Sequence, residues 1–208
     1  MMKEGSVFFN AGTIKLEGLM GVAGTVKGAV VTHPHSQMGG SMANNVVSAM
    51  VAAFQGKEYR TLRFNFRGVG RSGGFFDNGI GEQDDVAAAC AALRKTGATE
   101  LVLSGYSFGA WVNARLLGSQ GGDFSDVIVV SPPIDFMEFD FSPLAGRCGL
   151  IICGDRDQFC PLGPLKEAAG GVGARLEIIR GADHFYFGHE RAICEYLSDY
   201  LENSAPAH

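Results

Sequence analysis

The chain has 208 residues, of which 46% are hydrophobic and 19% are charged, and its formal net charge at neutral pH is −5. This length and composition are typical of one globular domain, so we expect residues 1–208 to form a single unit. The charged residues form no run of one sign, which argues against nucleic acid and anionic membranes as partners.

The first residues of the chain and the cysteines indicate the cellular compartment of the protein. Residues 1–6 lack the apolar core of a signal peptide, and no apolar run approaches the roughly 18 residues that a membrane span needs. The five cysteines are odd in number, form no Cys-x-x-Cys pair and lie mostly in apolar stretches, which is typical of buried free thiols. We therefore expect a cytoplasmic protein, either a monomer or a homodimer, that holds no metal and no cofactor.

Along the chain, two short alternating segments at residues 7–9 and 14–19 predict an opening hairpin. Apolar runs then predict strands at residues 28–33, 59–66, 100–104, 126–131, 148–153 and 175–179. Between and after them, helical spacing predicts helices at residues 41–54, 82–95, from 110 onward, 162–169 and 190–201. This alternation predicts an α/β fold whose mostly parallel sheet of about seven or eight strands carries helices on both faces. Residues 204–208 are expected to form a disordered tail.

A serine between two glycines stands where the strand at residues 100–104 runs into a helix. The segment reads Gly105-Tyr106-Ser107-Phe108-Gly109. Glycine neighbours permit a turn tight enough to lift the serine hydroxyl above the sheet. We interpret Ser107 as a nucleophile, with the backbone N–H of Phe108 as one donor to an oxyanion.

An acid and a base follow the last two predicted strands, in the order that this chemistry uses. Asp157 lies beyond the strand at residues 148–153, and His184 lies beyond the strand at residues 175–179. Carboxyl ends of parallel strands meet at one edge of a sheet, so we expect both side chains to lie near Ser107. Asp155 and His189 remain as rival candidates for the acid and the base.

The second oxyanion donor is expected in the loop that follows the first buried strand. This loop reads His33-Pro34-His35-Ser36. Pro34 has no N–H, which leaves His35 as the first choice and Ser36 as the second.

A glycine-rich segment at residues 68–73 reads Gly-x-Gly-x-x-Gly directly after a strand. A dinucleotide site needs these glycines to open a helix, and here the loop continues to about Glu82. We therefore predict a tight loop near the edge of the sheet that carries the active site, tethered by hydrogen bonds from Arg67. An alternative prediction for Arg71 in this loop is that its side chain faces an anionic substrate.

These features together resemble the α/β-hydrolase superfamily, over nearly the whole chain from about residue 28 to residue 201. The matching segments are residues 33–35, 64–73, 76–82, 105–109, 154–157 and 183–185. The chain is most similar to small bacterial hydrolases of this superfamily that neighbour dienelactone hydrolases and serine peptidases. The resemblance implies an α/β-hydrolase fold without a separate cap domain, with Ser107 as nucleophile, Asp157 as acid and His184 as base. Pro34 departs from the common pattern, which has glycine at that position.

The implied activity is hydrolysis of a small carboxylic ester, thioester or amide through an acyl-enzyme. The small-molecule acyl substrate would lie in a pocket whose candidate residues are His33, Tyr106, Arg71, Phe136, Phe159 and Phe185. The alternative is a non-catalytic binding or interaction protein on the same scaffold, because fold alone does not determine function.

Overall fold

The computed structural model describes residues 3–203 and arranges them around one eight-stranded sheet. The strands are β1 (Gly5–Ala11), β2 (Ile14–Gly21), β3 (Lys27–Thr32), β4 (Arg60–Phe64), β5 (Glu100–Tyr106), β6 (Asp126–Val130), β7 (Cys148–Gly154) and β8 (Arg175–Ile179). The helices are α1 (Asn45–Gly56), α2 (Gly81–Arg94), α3 (Phe108–Gln120), α4 (Leu162–Val172) and α5 (Glu190–Asn203). The tail predicted at residues 204–208 lies outside the described residues.

The sheet has the order β1-β2-β4-β3-β5-β6-β7-β8. β1 pairs antiparallel with β2, and β2 pairs antiparallel with β4. The other neighbouring strands, in the order β4, β3, β5, β6, β7 and β8, are all parallel. Each parallel pair needs a crossover connection, and the predicted helices supply these connections except the one from β6 to β7, which is a loop with a single 3-10 turn at Ser142–Leu144. The predicted α/β class, the strand number and the opening hairpin are therefore confirmed.

Apolar side chains of the central strands fill both faces of the sheet. In β3, Val30 packs on the face covered by α2, α3 and α4, whereas Ala29 and Val31 pack on the face covered by α1 and α5. This burial on both faces explains why the parallel strands are continuous apolar runs in the sequence. Within residues 3–203, no helix is both long and apolar enough to cross a membrane.

The first helix begins later than the sequence predicts. α1 starts at Asn45 and not at residue 41, because the side chain of Asn44 accepts hydrogen bonds from the N–H groups of Val46 and Val47. This capping satisfies two of the donors that a helix leaves free at its start. The N–H of Met42 bonds instead to Asn65 Oδ1 at 2.8 Å, so residues 41–44 form a loop.

The glycine-rich loop after β4 is tied to its neighbours and does not open a helix. Arg67 donates to the buried carboxylate of Asp85 at 2.8 Å, as the predicted tether requires. A Cβ added at Gly70 would lie 2.2 Å from Glu17 Oε1, so only glycine permits this close approach. Since α2 begins only at Gly81, the structure contains no dinucleotide turn in this segment.

A fully buried histidine joins β3 to the segment after β4. His33 Nε2 accepts a hydrogen bond from the N–H of Phe66 at 3.1 Å, so the proton lies on Nδ1, which donates to the carbonyl of Pro34 at 2.7 Å. Burial lowers the pKa of His33 to about 4, because the charged imidazole would lose its hydration; the bond to Pro34 partly opposes this shift. His33 is therefore neutral at physiological pH.

The depressed pKa of His33 predicts acid lability. Between the ordinary pKa of 6.5 and the folded-state value of about 4, the unfolded chain binds a proton that the folded chain does not. The free energy of unfolding should therefore fall as the pH falls through this window, by about 3 kcal/mol in total from this group. Urea unfolding at pH 7, 5.5 and 4 measures the slope.

The variant His33→Asn should be less stable at pH 7 and should lose less stability between pH 7 and pH 4. The half-buried His189 offers a matched control, and His189→Asn should keep the wild-type slope. Equal slopes for His33→Asn and the wild type would contradict the assignment.

Candidate active site

Ser107 occupies a strained turn between β5 and α3. Its φ of 54° and ψ of −120° lie in a region that residues with a side chain rarely adopt. The two flanking glycines make the turn possible. A Cβ added at Gly105 would lie 2.6 Å from the nitrogen of Ala110, and one added at Gly109 would lie 2.7 Å from the carbonyl oxygen of Thr32.

The structure brings the three predicted catalytic residues together in one hydrogen-bonded chain. His184 Nε2 lies 2.9 Å from Ser107 Oγ, and His184 Nδ1 lies 2.8 Å from Asp157 Oδ2. A carboxylate accepts, so Nδ1 carries the proton and Nε2 accepts from the serine hydroxyl. All three residues are buried, with 5–7% of each exposed. This arrangement allows the imidazole to take the proton of Ser107 as the hydroxyl attacks a carbonyl carbon.

The rival acid Asp155 and the rival base His189 do not join the hydrogen-bonded chain to Ser107. Asp155 is exposed, and its Oδ1 accepts the N–H of Gly181 at 2.7 Å, so it orders the loop that precedes His184. Asp157 instead accepts the N–H of Phe159 at 2.9 Å and the imidazole proton. His189 precedes α5 and makes no contact with Ser107 among the hydrogen bonds of residues 3–203.

Two tyrosines hold the loop that carries His184. Tyr106 donates its hydroxyl proton to the backbone carbonyl of His184 at 2.6 Å, and the Tyr186 hydroxyl lies 2.6 Å from Ser131 Oγ. Burial raises the pKa of both tyrosines, so both remain protonated. Ser131 and Tyr186 also adopt positive φ, 46° and 57°. Sequence reasoning missed these supports, since they join residues more than 50 positions apart and have no local signal.

The expected oxyanion donors lie beside the nucleophile. Phe108 is the first residue of α3, where the backbone N–H has no carbonyl partner within the helix. The loop that contains His35 curls back on itself, because the carbonyl of His35 accepts from Met38 and Gly40, each at 3.0 Å. The His35 ring packs on the ring of Phe108 at 4.8 Å. Both residues line the cavity at Ser107, whereas Ser36, the second choice, does not.

The cavity beside Ser107 has a volume of about 100 Å³. Its lining is largely apolar and includes four of the predicted pocket residues. The lining residues are Pro34, His35, Met38, Gly39, Gly40, Asn44, Tyr106, Ser107, Phe108, Pro133, Phe136, Met137, Phe159, His184 and Phe185. No aspartate, glutamate, lysine or arginine is among them, and burial lowers the pKa of His35, which favours its neutral form.

Two predicted pocket residues lie elsewhere, and their assignment is corrected. His33 is fully buried behind the loop and serves to order it through the carbonyl of Pro34. Arg71 points away from the cavity, because Glu17 accepts its Nε–H at 2.7 Å and its guanidinium stacks over the ring of Phe8. Within residues 3–203, no cluster of histidine, cysteine and carboxylate side chains is arranged to hold a metal ion.

Comparison with known proteins gives relatives of similar length. No protein-family model matches the chain. An uncharacterized protein of Rickettsia prowazekii is 33% identical, in a match that covers 94% of this chain and 87% of that protein.

Three solved bacterial structures share the fold over nearly their full length. A protein of unknown function from Agrobacterium tumefaciens, classed as an α/β hydrolase, is 32% identical, with a TM-score of 0.84 and 95% of each chain covered. An α/β serine hydrolase homologue from Coxiella burnetii is 29% identical, with a TM-score of 0.86 and coverage of 97% of this chain and 99% of that one. A serine hydrolase without a lid from Xanthomonas campestris is 28% identical, with a TM-score of 0.84 and coverage of 100% and 98%.

These likenesses agree with the eight-stranded sheet and with the connections between its strands, none of which carries an inserted cap domain among residues 3–203. The chain therefore belongs to the α/β-hydrolase superfamily, with no separate cap domain among its described residues.

Proposed function

We propose that this protein is a serine hydrolase that cleaves small carboxylic esters through an acyl-enzyme. The observation that carries the proposal is the buried chain from Ser107 Oγ to His184 Nε2, at 2.9 Å, and from His184 Nδ1 to Asp157 Oδ2, at 2.8 Å. Thioesters and amides are the other acyl compounds on which the same machinery can act.

Acylation begins when Ser107 Oγ attacks the carbonyl carbon of the substrate and His184 Nε2 takes the hydroxyl proton. The negative charge that develops on the carbonyl oxygen is stabilised by the backbone N–H groups of Phe108 and His35. Asp157 keeps the imidazole in the required tautomer and stabilises the imidazolium. His184 then gives its proton to the departing alcohol as the bond between the carbonyl carbon and that oxygen breaks.

Deacylation repeats these steps with water as the nucleophile. His184 takes a proton from the water, whose oxygen attacks the acyl carbon of the ester formed with Ser107. The same N–H groups hold the oxyanion again. When the bond to Ser107 Oγ breaks, His184 returns the proton to the serine, and the carboxylic acid leaves.

The strain at Ser107 supports a catalytic role. A non-glycine residue in such a conformation costs of order 1–3 kcal/mol, and such residues cluster at active sites. An ordinary turn serine would have no reason to retain this cost, since glycine would fit the same backbone without it.

We further propose a cytoplasmic location and a small-molecule acyl substrate as the partner. The described cysteines are all free thiols, which suits a reducing compartment. The apolar cavity without an ionised carboxylate, lysine or arginine suits an uncharged acyl compound.

Removal of the nucleophile tests the mechanism. The variant Ser107→Ala should lower kcat for a short acyl ester by roughly a thousandfold or more, because only oxyanion stabilisation and binding remain. Turnover of a chromogenic ester measures the loss. The control Ser119→Ala, which alters an exposed serine in the same helix, should retain wild-type turnover. Undiminished esterase activity of Ser107→Ala would remove the proposal.

Covalent labelling separates an enzyme from a binding protein on the same scaffold. A fluorophosphonate should label the folded wild type at Ser107, and His184→Ala should slow labelling by about a hundredfold or more because the general base is lost. The variant His189→Ala is the matched control and should label at the wild-type rate. A folded wild type that does not react would favour the non-catalytic alternative.

The backbone strain predicts an unusual order of stability. Ser107→Gly and Ser107→Ala both lack the hydroxyl and differ only in the Cβ atom. Because relief of strain outweighs the extra unfolded-state entropy of glycine, Ser107→Gly should be the more stable by about 1 kcal/mol. Urea unfolding of the two variants measures the difference. A Ser107→Ala protein of equal or greater stability would show that the turn is unstrained.

A further inference from the structure

Three aromatic rings pack on the imidazole of His184. The ring of Phe159 meets it edge-on with centroids 4.8 Å apart, and the ring of Phe185 meets it edge-on at 5.8 Å. Tyr106 lies at 5.4 Å, and its hydroxyl holds the backbone of His184. Phe159 and Phe185 have no such polar task, yet both line the cavity at Ser107.

The direction of proton transfer determines which part of a substrate these two rings meet. The departing oxygen must receive its proton from His184 Nε2, so it must lie within hydrogen-bond reach of that atom. The acyl carbon, by contrast, is bound to Ser107 Oγ, and its oxygen points to the N–H groups of Phe108 and His35. Side chains that border the imidazole therefore contact the leaving group.

The surface that borders the imidazole is apolar and partly open. Phe136 packs edge-on against Phe159 with centroids 5.5 Å apart and extends the surface outward. Phe136 is 53% exposed and Phe185 is 46% exposed, so a bound group would cover aromatic area that water now contacts. No lysine, arginine or carboxylate lines this part of the cavity, and a charged leaving group would find no partner there.

We propose that Phe159 and Phe185 form the leaving-group subsite, and that the enzyme prefers esters of uncharged alcohols that carry an aromatic ring. This inference rests on the proposed serine-hydrolase function. The reaction remains hydrolysis: the bond between the acyl carbon and the alcohol oxygen breaks, the alcohol leaves with the proton from His184, and water supplies the hydroxyl of the acid. Edge-on and offset contacts between rings then favour an aromatic alcohol over an alkyl alcohol.

The test compares benzyl and ethyl esters of one short carboxylic acid. Both alcohols are of similar acidity, so the chemical step is comparable, and both esters form the same acyl-enzyme. The preference should therefore appear in kcat/KM, which reports acylation. We expect the wild type to favour the benzyl ester by about tenfold, the size of one good aromatic contact.

Phe185→Ala and Phe187→Ala make a matched pair, because Phe187 stacks on Phe185 and is 75% exposed but does not line the cavity. Phe185→Ala should lower the ratio of kcat/KM for the benzyl ester to kcat/KM for the ethyl ester by about tenfold, which removes the benzyl preference. Phe187→Ala should change neither value. With ethyl esters of longer acids, Phe185→Ala should keep the wild-type dependence on acyl length.

Other outcomes overturn the inference in distinguishable ways. Hydrolysis of both esters with no benzyl preference, while Ser107→Ala stays inactive, would refute the subsite and leave the hydrolase function intact. A changed acyl-length dependence in Phe185→Ala would assign the ring to the acyl side. A protein that hydrolyses neither ester and resists fluorophosphonate labelling would overturn both the subsite and the proposed function.

Discussion

The tight turn at Ser107 is the constraint on which the rest of the structure depends. A positive φ at a residue with a side chain is tolerated only where the surroundings enforce it. Here β5, a central strand of the sheet, leads into the turn, and α3 begins at the residue after Ser107. Gly105 and Gly109 allow both elements to pack closely against Thr32. The hydroxyl is thereby presented above the edge where the parallel strands end.

The acid and the base reach that edge on the strands at one side of the sheet, and long-range contacts set their orientation. Asp157 follows β7 and His184 follows β8, so each lies on a loop beyond the carboxyl end of its strand. The bond from Tyr106 to the carbonyl of His184 joins this loop to the strand of the nucleophile, and the Ser131–Tyr186 pair joins it to β6. Buried hydroxyl pairs of this kind stabilise one arrangement because an unpaired partner would be costly.

The same imidazole links the chemistry to the shape of the cavity. In the proposed mechanism, rings that contact the His184 imidazole also contact the departing group, so the same residues affect positioning and selectivity. Tyr106 holds the backbone of His184 through its hydroxyl, whereas Phe159 and Phe185 contact the imidazole through their rings alone. Phe136 and Phe185 leave exposed aromatic surface at the mouth of the cavity.

The sequence by itself determined the fold class, the strand order along the chain and the candidates Ser107, Asp157 and His184, because apolar periodicity and turn residues are local signals. It did not decide between Asp155 and Asp157 as the acid, and the prediction that His33 and Arg71 line the pocket was wrong. Only the tertiary structure decided these three assignments, because each depends on contacts between residues distant in sequence. These contacts are the bond between Asp157 and the His184 imidazole, the burial of His33 and the pairing of Arg71 with Glu17.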